Sequence, residues 1–129
     1  MIKQVDTMFP RCIFLAKNTN YKELTDKFVL YSPLEETEIQ YTEETFNKEC
    51  SPNEMEAFVF LAKDKGTQRV GYLVGLNEIE VNVGICAHEA THICKHMEDC
   101  FGLEPSANEY RAYITEWYTN VIYNFWKED

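Results

Sequence analysis

Short runs of apolar residues in the first two thirds of the chain predict β-strands. These runs cover residues 12–16, 28–31, 57–62 and 68–76. They are bounded by polar or turn-forming residues and are too short for helices, as is typical of buried strands. Residues 64–66 (Asp-Lys-Gly) separate the last two runs, and we expect a hairpin turn there.

Apolar residues recur at helical spacing in the remainder of the chain. One helix is expected from about Asn82, its cap, to Glu98, and another from about Pro105 to Trp126. The positions available to face a core are Ile85, Ala90, Ile93, Met97, Ile114, Trp117, Val121 and Phe125. The whole pattern predicts one α+β domain over residues 1–129, in which a small, mostly antiparallel sheet packs on the two helices.

Residues 34–52 form an acidic segment with one short helix expected near 43–48. We favour a solvated face for this segment. The alternative is a cover over a functional site.

The composition and net charge of the chain indicate which classes of partner and which cellular compartment to expect. Of the 129 residues 45% are hydrophobic and 26% are charged, and the net charge is −10. This acidity disfavours nucleic acid, because phosphate binding needs a concentrated Lys/Arg surface, and it favours a cation or a neutral or basic substrate. No apolar run has the length of a signal or a membrane span, so we expect no membrane partner and a cytoplasmic location.

Five cysteines at irregular spacing predict reduced thiols rather than a disulfide framework. Cys94 and Cys100 could bind a structural metal, but no Cys/His knuckle accompanies them. We therefore expect the cysteines to act as small buried hydrophobes.

The chemistry of the chain concentrates in His88-Glu89-Ala90-Thr91-His92. Residues four apart lie on one face of a helix, so His88 and His92 present two imidazoles at the geometry that tetrahedral zinc requires of two ligands. Glu89 lies beside the metal without binding it. There it can take a proton from a water whose acidity the metal has raised, and pass it to a leaving amine. Two histidines on a helix without a metal are the structural alternative.

A catalytic zinc needs a third protein ligand and an open position. We expect Glu109, which lies 17 residues after His92 and early in the last helix. Glu104, at the turn, and Glu116, two turns along a similar face, are the competing carboxylates.

Three other residues have possible roles around such a site. His96 extends the histidine row, but it is rotated by roughly 80° from His88, which argues against a third ligand on the same helix. We expect His96 to be exposed or to support a ligand from the second shell. The hydroxyl of Tyr110 or Tyr113 could stabilise an oxyanion, although packing explains each tyrosine as well.

The strand at residues 68–76 could provide a place for substrate. If it forms an exposed sheet edge near the zinc, an extended peptide could add to it through main-chain hydrogen bonds. The alternative is an ordinary core strand.

The motif and its context resemble the zincin metallopeptidases, and among them the gluzincins, whose third metal ligand is a Glu on a later helix. The resemblance rests on His88, Glu89, His92 and Glu109 and extends over residues 56–118. The layout also resembles small zincin-like proteins encoded by bacteriophages. The resemblance implies a minimal zincin-like domain with Zn²⁺ on His88, His92 and Glu109, with Glu89 as general base, acting in the host cytoplasm if a phage encodes it.

One position departs from this family. Larger gluzincins often carry an acidic residue four positions after the ligand Glu, where this chain has Tyr113. The support of the histidine ligands is therefore in question.

Two functions follow from these residues. The first is a zinc metallopeptidase that cleaves a peptide or other amide bond. The second is a catalytically silent protein that keeps the zincin scaffold and acts through a protein partner. A zinc held only for stability is a third reading, which leaves Glu89 without a purpose.

Overall fold

The computed structural model describes residues 2–7, 11–31, 44, 57–76, 81–101 and 108–128, of which 108–110 are described as backbone. The elements, in chain order, are β1 (Ile2–Val5), β2 (Cys12–Lys17), α1 (Tyr21–Lys27), β3 (Phe28–Tyr31), β4 (Ala57–Asp64), β5 (Val70–Leu76), α2 (Val83–Phe101) and α3 (Asn108–Lys127). The α+β prediction is confirmed, and β1 and α1 are additions to it. The acidic segment 34–52 and its helix lie outside the described residues, residue 44 apart.

In this described part the strands form one sheet in the order β1-β2-β5-β4-β3. Its pairs are antiparallel except for the central pair, in which β2 runs parallel to β5 with Cys12 opposite Gly71. The predicted hairpin joins β4 to β5. Its turn is held by Asp64, whose Oδ1 accepts from the backbone amides of Gly66 (2.8 Å) and Thr67 (3.2 Å).

Side chains alternate between the two faces of the sheet, and each face buries its own apolar cluster. One cluster includes Phe14, Phe28, Phe58 and Phe60, together with Leu24 of α1. The other contains Tyr72 and the buried sides of α2 and α3. The sheet therefore carries both long helices on one face.

The two helices run antiparallel on that face. Lys17, which ends β2 opposite Leu76, donates from Nζ to the carbonyl of Trp126 at the end of α3 (2.9 Å). Because Leu76 also ends the strand that precedes α2, the start of α2 and the end of α3 lie near the same ends of strands β2 and β5. Near the opposite ends of these strands, the Arg11 guanidinium stacks 5.2 Å from the ring of Phe101, the last residue of α2.

Candidate metal centre

Helix α2 begins where the sequence predicts and divides its residues between core and surface. Asn82 caps it, since its Oδ1 accepts from the amide of Ile85 (2.9 Å). Ala90, Ile93 and Met97 are buried against the sheet and α3. Rotations of 100° per residue place His88 and His92 on the face opposite Ala90, and both are exposed there.

The two imidazoles converge on one point. His88 Nε2 lies 3.1 Å from His92 Nε2, and the ring centroids are 4.7 Å apart with the rings nearly perpendicular. Zn–N bonds of about 2.0–2.1 Å at the tetrahedral angle separate two nitrogens by about 3.3 Å. The residues present therefore fit two adjacent positions of a tetrahedral cation. The same spacing also allows a hydrogen bond when one of the two nitrogens carries a proton.

A complete ligand set is not brought together by the side chains that the structure describes. Among them no group of three or more His, Cys, Asp or Glu residues is arranged to hold a metal ion. The side chains of the expected third ligand, Glu109, and of its competitor Glu104 are not among those described. Only the backbone of Glu109 is described, and Glu104 falls in 102–107, outside the described residues.

Glu89 lies on the flank of α2 between the exposed histidine face and the core. Its side chain is buried, with 7% of its surface exposed, although it is acidic. Burial raises the pKa of the Glu89 carboxyl, and the neighbouring His88 opposes that shift. Within the described residues nothing donates a hydrogen bond to this carboxylate, so it keeps the capacity to accept a proton.

The register of α2 against α3 indicates which carboxylates lie at the same height along the helix axes as the histidine pair. This height is called the level of the pair. Arg111 bonds through Nε to Glu98, and its carbonyl oxygen lies 3.9 Å from Cys94 Sγ. At 1.5 Å per residue the midpoint of His88 and His92 lies roughly 9 Å from the middle of this contact, toward the start of α2.

In the antiparallel helix α3, positions after Arg111 move toward that level and positions before it move away. Glu116 lies five residues after Arg111, which brings its backbone to within roughly 2 Å of the level of the histidine pair. Glu109 lies two residues before Arg111, roughly 12 Å from that level. Glu116 is exposed, like the two histidines.

His96 is buried, with 6% of its surface accessible, so the exposed alternative for this residue is wrong and a supporting role for a ligand stays a prediction. Its Nδ1 lies 2.8 Å from the hydroxyl of Tyr72 on β5, and the rings meet edge to face. The sequence offered no signal for this contact, because 24 residues separate its partners.

Two further predictions concern the tyrosines and the substrate strand. Tyr113 is 60% exposed on α3, while the side chain of Tyr110 lies outside the described part. The interpretation of residues 68–76 as a possible exposed sheet edge is wrong, because β5 is paired on both sides and stands at the centre of the sheet. Its continuous apolar run is typical of a strand covered on both faces.

Searches of protein-family models, curated proteins and solved structures returned no match to this chain. Among the helices of the described ranges, none combines the length and the apolar character that a membrane crossing requires. The cysteines at positions 12, 86, 94 and 100 are free thiols, and all but Cys100 are buried. The expectation that the cysteines are buried is confirmed for Cys12, Cys86 and Cys94 and is wrong for Cys100.

Proposed function

We propose that the chain is a zinc-dependent, gluzincin-like hydrolase that cleaves a peptide or other amide bond. The observation that carries this proposal is the convergence of His88 Nε2 and His92 Nε2 to 3.1 Å on the exposed face of α2, beside the buried carboxylate of Glu89. Two ligand atoms and one proton acceptor are thus fixed by a single helix, which limits how far each can move from the others.

The roles of the residues follow from their positions. His88 and His92 would hold the zinc, which when bound polarises the scissile carbonyl and makes a nearby water more acidic. Glu89 takes the proton of the attacking water and returns it to the leaving amine. Its burial suits this duty, because a carboxylate that is poorly solvated binds a proton more readily than one in water.

The third ligand in this proposal comes from α3. The level of the helices supports Glu116, whereas the sequence spacing and the family resemblance support Glu109. Measuring the zinc content of variants decides between them. Glu116→Gln should lower the zinc bound per chain if Glu116 is the ligand, and Glu109→Gln should lower it if Glu109 is the ligand. Glu104→Gln tests the remaining candidate carboxylate in the same way.

The test of the main proposal measures zinc content and peptide hydrolysis together. We expect about one zinc per chain in the wild type, loss of zinc in His88→Gln and His92→Gln, and zinc retained without hydrolysis in Glu89→Gln. Asp99→Asn, which changes an exposed acid on the same helix, should alter neither quantity.

Two other outcomes of this test would contradict the hydrolase proposal. Zinc that persists in the wild type without turnover of any peptide library, with partner binding insensitive to Glu89→Gln, would identify a silent zincin scaffold. A wild-type chain that binds no zinc after purification without chelators would exclude both the hydrolase and a structural zinc.

We also propose that the protein acts in the cytoplasm, that of the host if a phage encodes it. The four described cysteines are free thiols, as a reducing compartment requires.

A further inference from the structure

A polar cluster joins α2 to α3 on the far side of the helix pair from the candidate metal centre. Arg111 Nε donates to Glu98 Oε1, and the Glu98 side chain is largely buried, with 10% of its surface exposed. Cys94 Sγ donates to the same oxygen (3.6 Å), which holds the carboxylate in place on its own helix. Of the ion pairs between described residues, this one alone links the two helices.

The burial of Glu98 makes the ion pair sensitive to movement of one helix along the other. A buried carboxylate that loses its partner keeps a charge that water reaches poorly, and this is costly. Apolar contacts such as that of Met97 with Tyr118 are non-directional, so small shifts along the axis disturb them less. The ion pair therefore constrains the position of α3 along α2 more sharply than the apolar contacts do.

The same two helices carry the residues of the candidate metal centre. Glu98 lies six residues after His92, about 9 Å along α2. Glu116 lies five residues after Arg111, about 7.5 Å back along α3 toward the level of the histidine pair. The ion pair therefore relates the two histidines to the carboxylate through two continuous helices.

A small error in this register would matter to a metal site. A slip of one residue between the helices moves Glu116 by about 1.5 Å relative to the histidine nitrogens. Distances from a metal to its ligands vary by only about 0.2 Å. The register therefore decides whether a carboxylate of α3 can share a metal with the histidine pair.

We propose that Glu98 and Arg111 are positioning residues, which hold α3 at the level where Glu116 joins the histidine pair in binding the metal. This inference rests on the proposed function. Neither residue binds the metal in this arrangement, and both act through the helix that carries a ligand. An ion pair that only stabilised the fold would weaken zinc binding whether or not α3 supplied a ligand. A positioning pair acts only when it does.

The experiment measures the Kd of the purified chain for Zn²⁺ by competition with a chromophoric chelator. We expect Glu98→Gln to weaken zinc binding by about tenfold, as is typical when a group that orients a metal ligand is lost. In the Glu116→Gln background the same change should alter the Kd by less than about twofold, because no carboxylate at that level remains to be positioned.

Asp99→Asn is the matched control. It removes the same unit charge from the next position of α2, but the Asp99 side chain is 62% exposed and pairs with Lys95 on its own helix. Arg111→Gln cuts the ion pair from the other side and should weaken zinc binding as Glu98→Gln does. It provides the same test if Glu98→Gln does not fold.

The outcomes separate this inference from the proposed function. The positioning role is overturned if Glu98→Gln weakens zinc binding no more than Asp99→Asn, or equally with and without Glu116. The hydrolase proposal survives either result. A wild type that binds no zinc, or whose zinc survives His92→Gln, would overturn the proposed function and the positioning role with it.

Discussion

At the scale of single residues, Glu89 stands out among the acids whose side chains are described, because its surroundings disfavour the charged form. It is buried, and burial raises its pKa. In chelator-treated protein at neutral pH, the charged form therefore costs folding free energy that the unfolded chain does not incur. We expect Glu89→Gln to raise the free energy of unfolding there by about 1 kcal/mol.

The upward direction of the pKa shift of Glu89 determines how the stability difference between Glu89→Gln and wild type depends on pH. A carboxyl with a raised pKa destabilises the fold when the pH is above its range, and the penalty disappears once both states are protonated. The difference between Glu89→Gln and wild type should therefore close as the pH falls below the usual range of a glutamate, as urea titrations at a series of pH values would record. A variant less stable than wild type at neutral pH would contradict this account.

Gly75 leaves the space above β5 that the ring of Phe58 on the neighbouring strand occupies. A Cβ atom at this position would lie 2.1–2.5 Å from the ring carbons of Phe58, its partner on β4. We expect Gly75→Ala to lower the free energy of unfolding by about 1–3 kcal/mol, because the ring must leave its site in the core. The double variant Gly75→Ala/Phe58→Leu should recover part of this loss in urea titrations, and no recovery would place the strain elsewhere.

The residues of the site differ in how far the sequence alone predicts them. His88, Glu89 and His92 lie on one helix, so their relative positions follow from helical spacing. The burial of His96 could not be predicted, because Tyr72 reaches it from a strand that meets α2 only in the folded chain.

At the scale of elements, the turn between β4 and β5 depends on one carboxylate. Burial alone would raise the pKa of Asp64, but the amides of Gly66 and Thr67 and the ammonium of Lys27 outweigh it and hold the pKa below the usual 3.8. Since neutral pH exceeds both values, the stabilisation is complete there and is lost as the pH falls through the lowered pKa.

We expect Asp64→Ala to cost about 1–3 kcal/mol at neutral pH, because two turn amides lose their acceptor. Asp64→Asn keeps an oxygen acceptor and should cost less. In urea titrations the wild type should approach Asp64→Asn as the pH falls and Asp64 is protonated, whereas Asp64→Ala should stay less stable because it has no acceptor oxygen. Equal costs for the two variants would indicate that the charge, and not the acceptor, holds the turn.

Local patterns predicted the type of most elements and missed two. Helix α1 did carry a signal: Asn20 Oδ1 accepts from the amide of Glu23 (2.9 Å), a polar cap three residues before an acid. Strand β1 has two exposed residues among four and no apolar run, so its pairing with β2 had to come from the fold.

At the scale of the whole molecule, a bound ion should tie the candidate metal centre to global stability. A ligand that binds only the folded state stabilises it by about 2.7 kcal/mol at a concentration of 100 times Kd. We expect Zn²⁺ to raise the melting temperature of the wild type and to leave that of His92→Gln unchanged. Lys95→Gln, an exposed change on the same helix, is the control, and an equal rise in His92→Gln would assign the effect to another site.

The prediction of Glu109 as the third ligand rested on its position early in the last helix. In the antiparallel pair of helices, the backbone of Glu109 lies roughly 12 Å along the axis from the histidine pair, whereas that of Glu116 lies within roughly 2 Å of its level. These distances depend on the register between the two helices, which is set by packing contacts such as that of Arg111 with Glu98 and cannot be read from the motif.

The parallel pairing of β2 with β5 also has a consequence for how the chain folds. Cys12 and Gly71 are neighbours in the sheet although 59 positions separate them in the sequence. The β1–β2 hairpin emerges first during synthesis and must wait for β5 before its inner edge is covered. The centre of the sheet is thus a contact of high sequence separation, whose loop-closure entropy slows the rate-limiting step relative to a sheet built from hairpins alone.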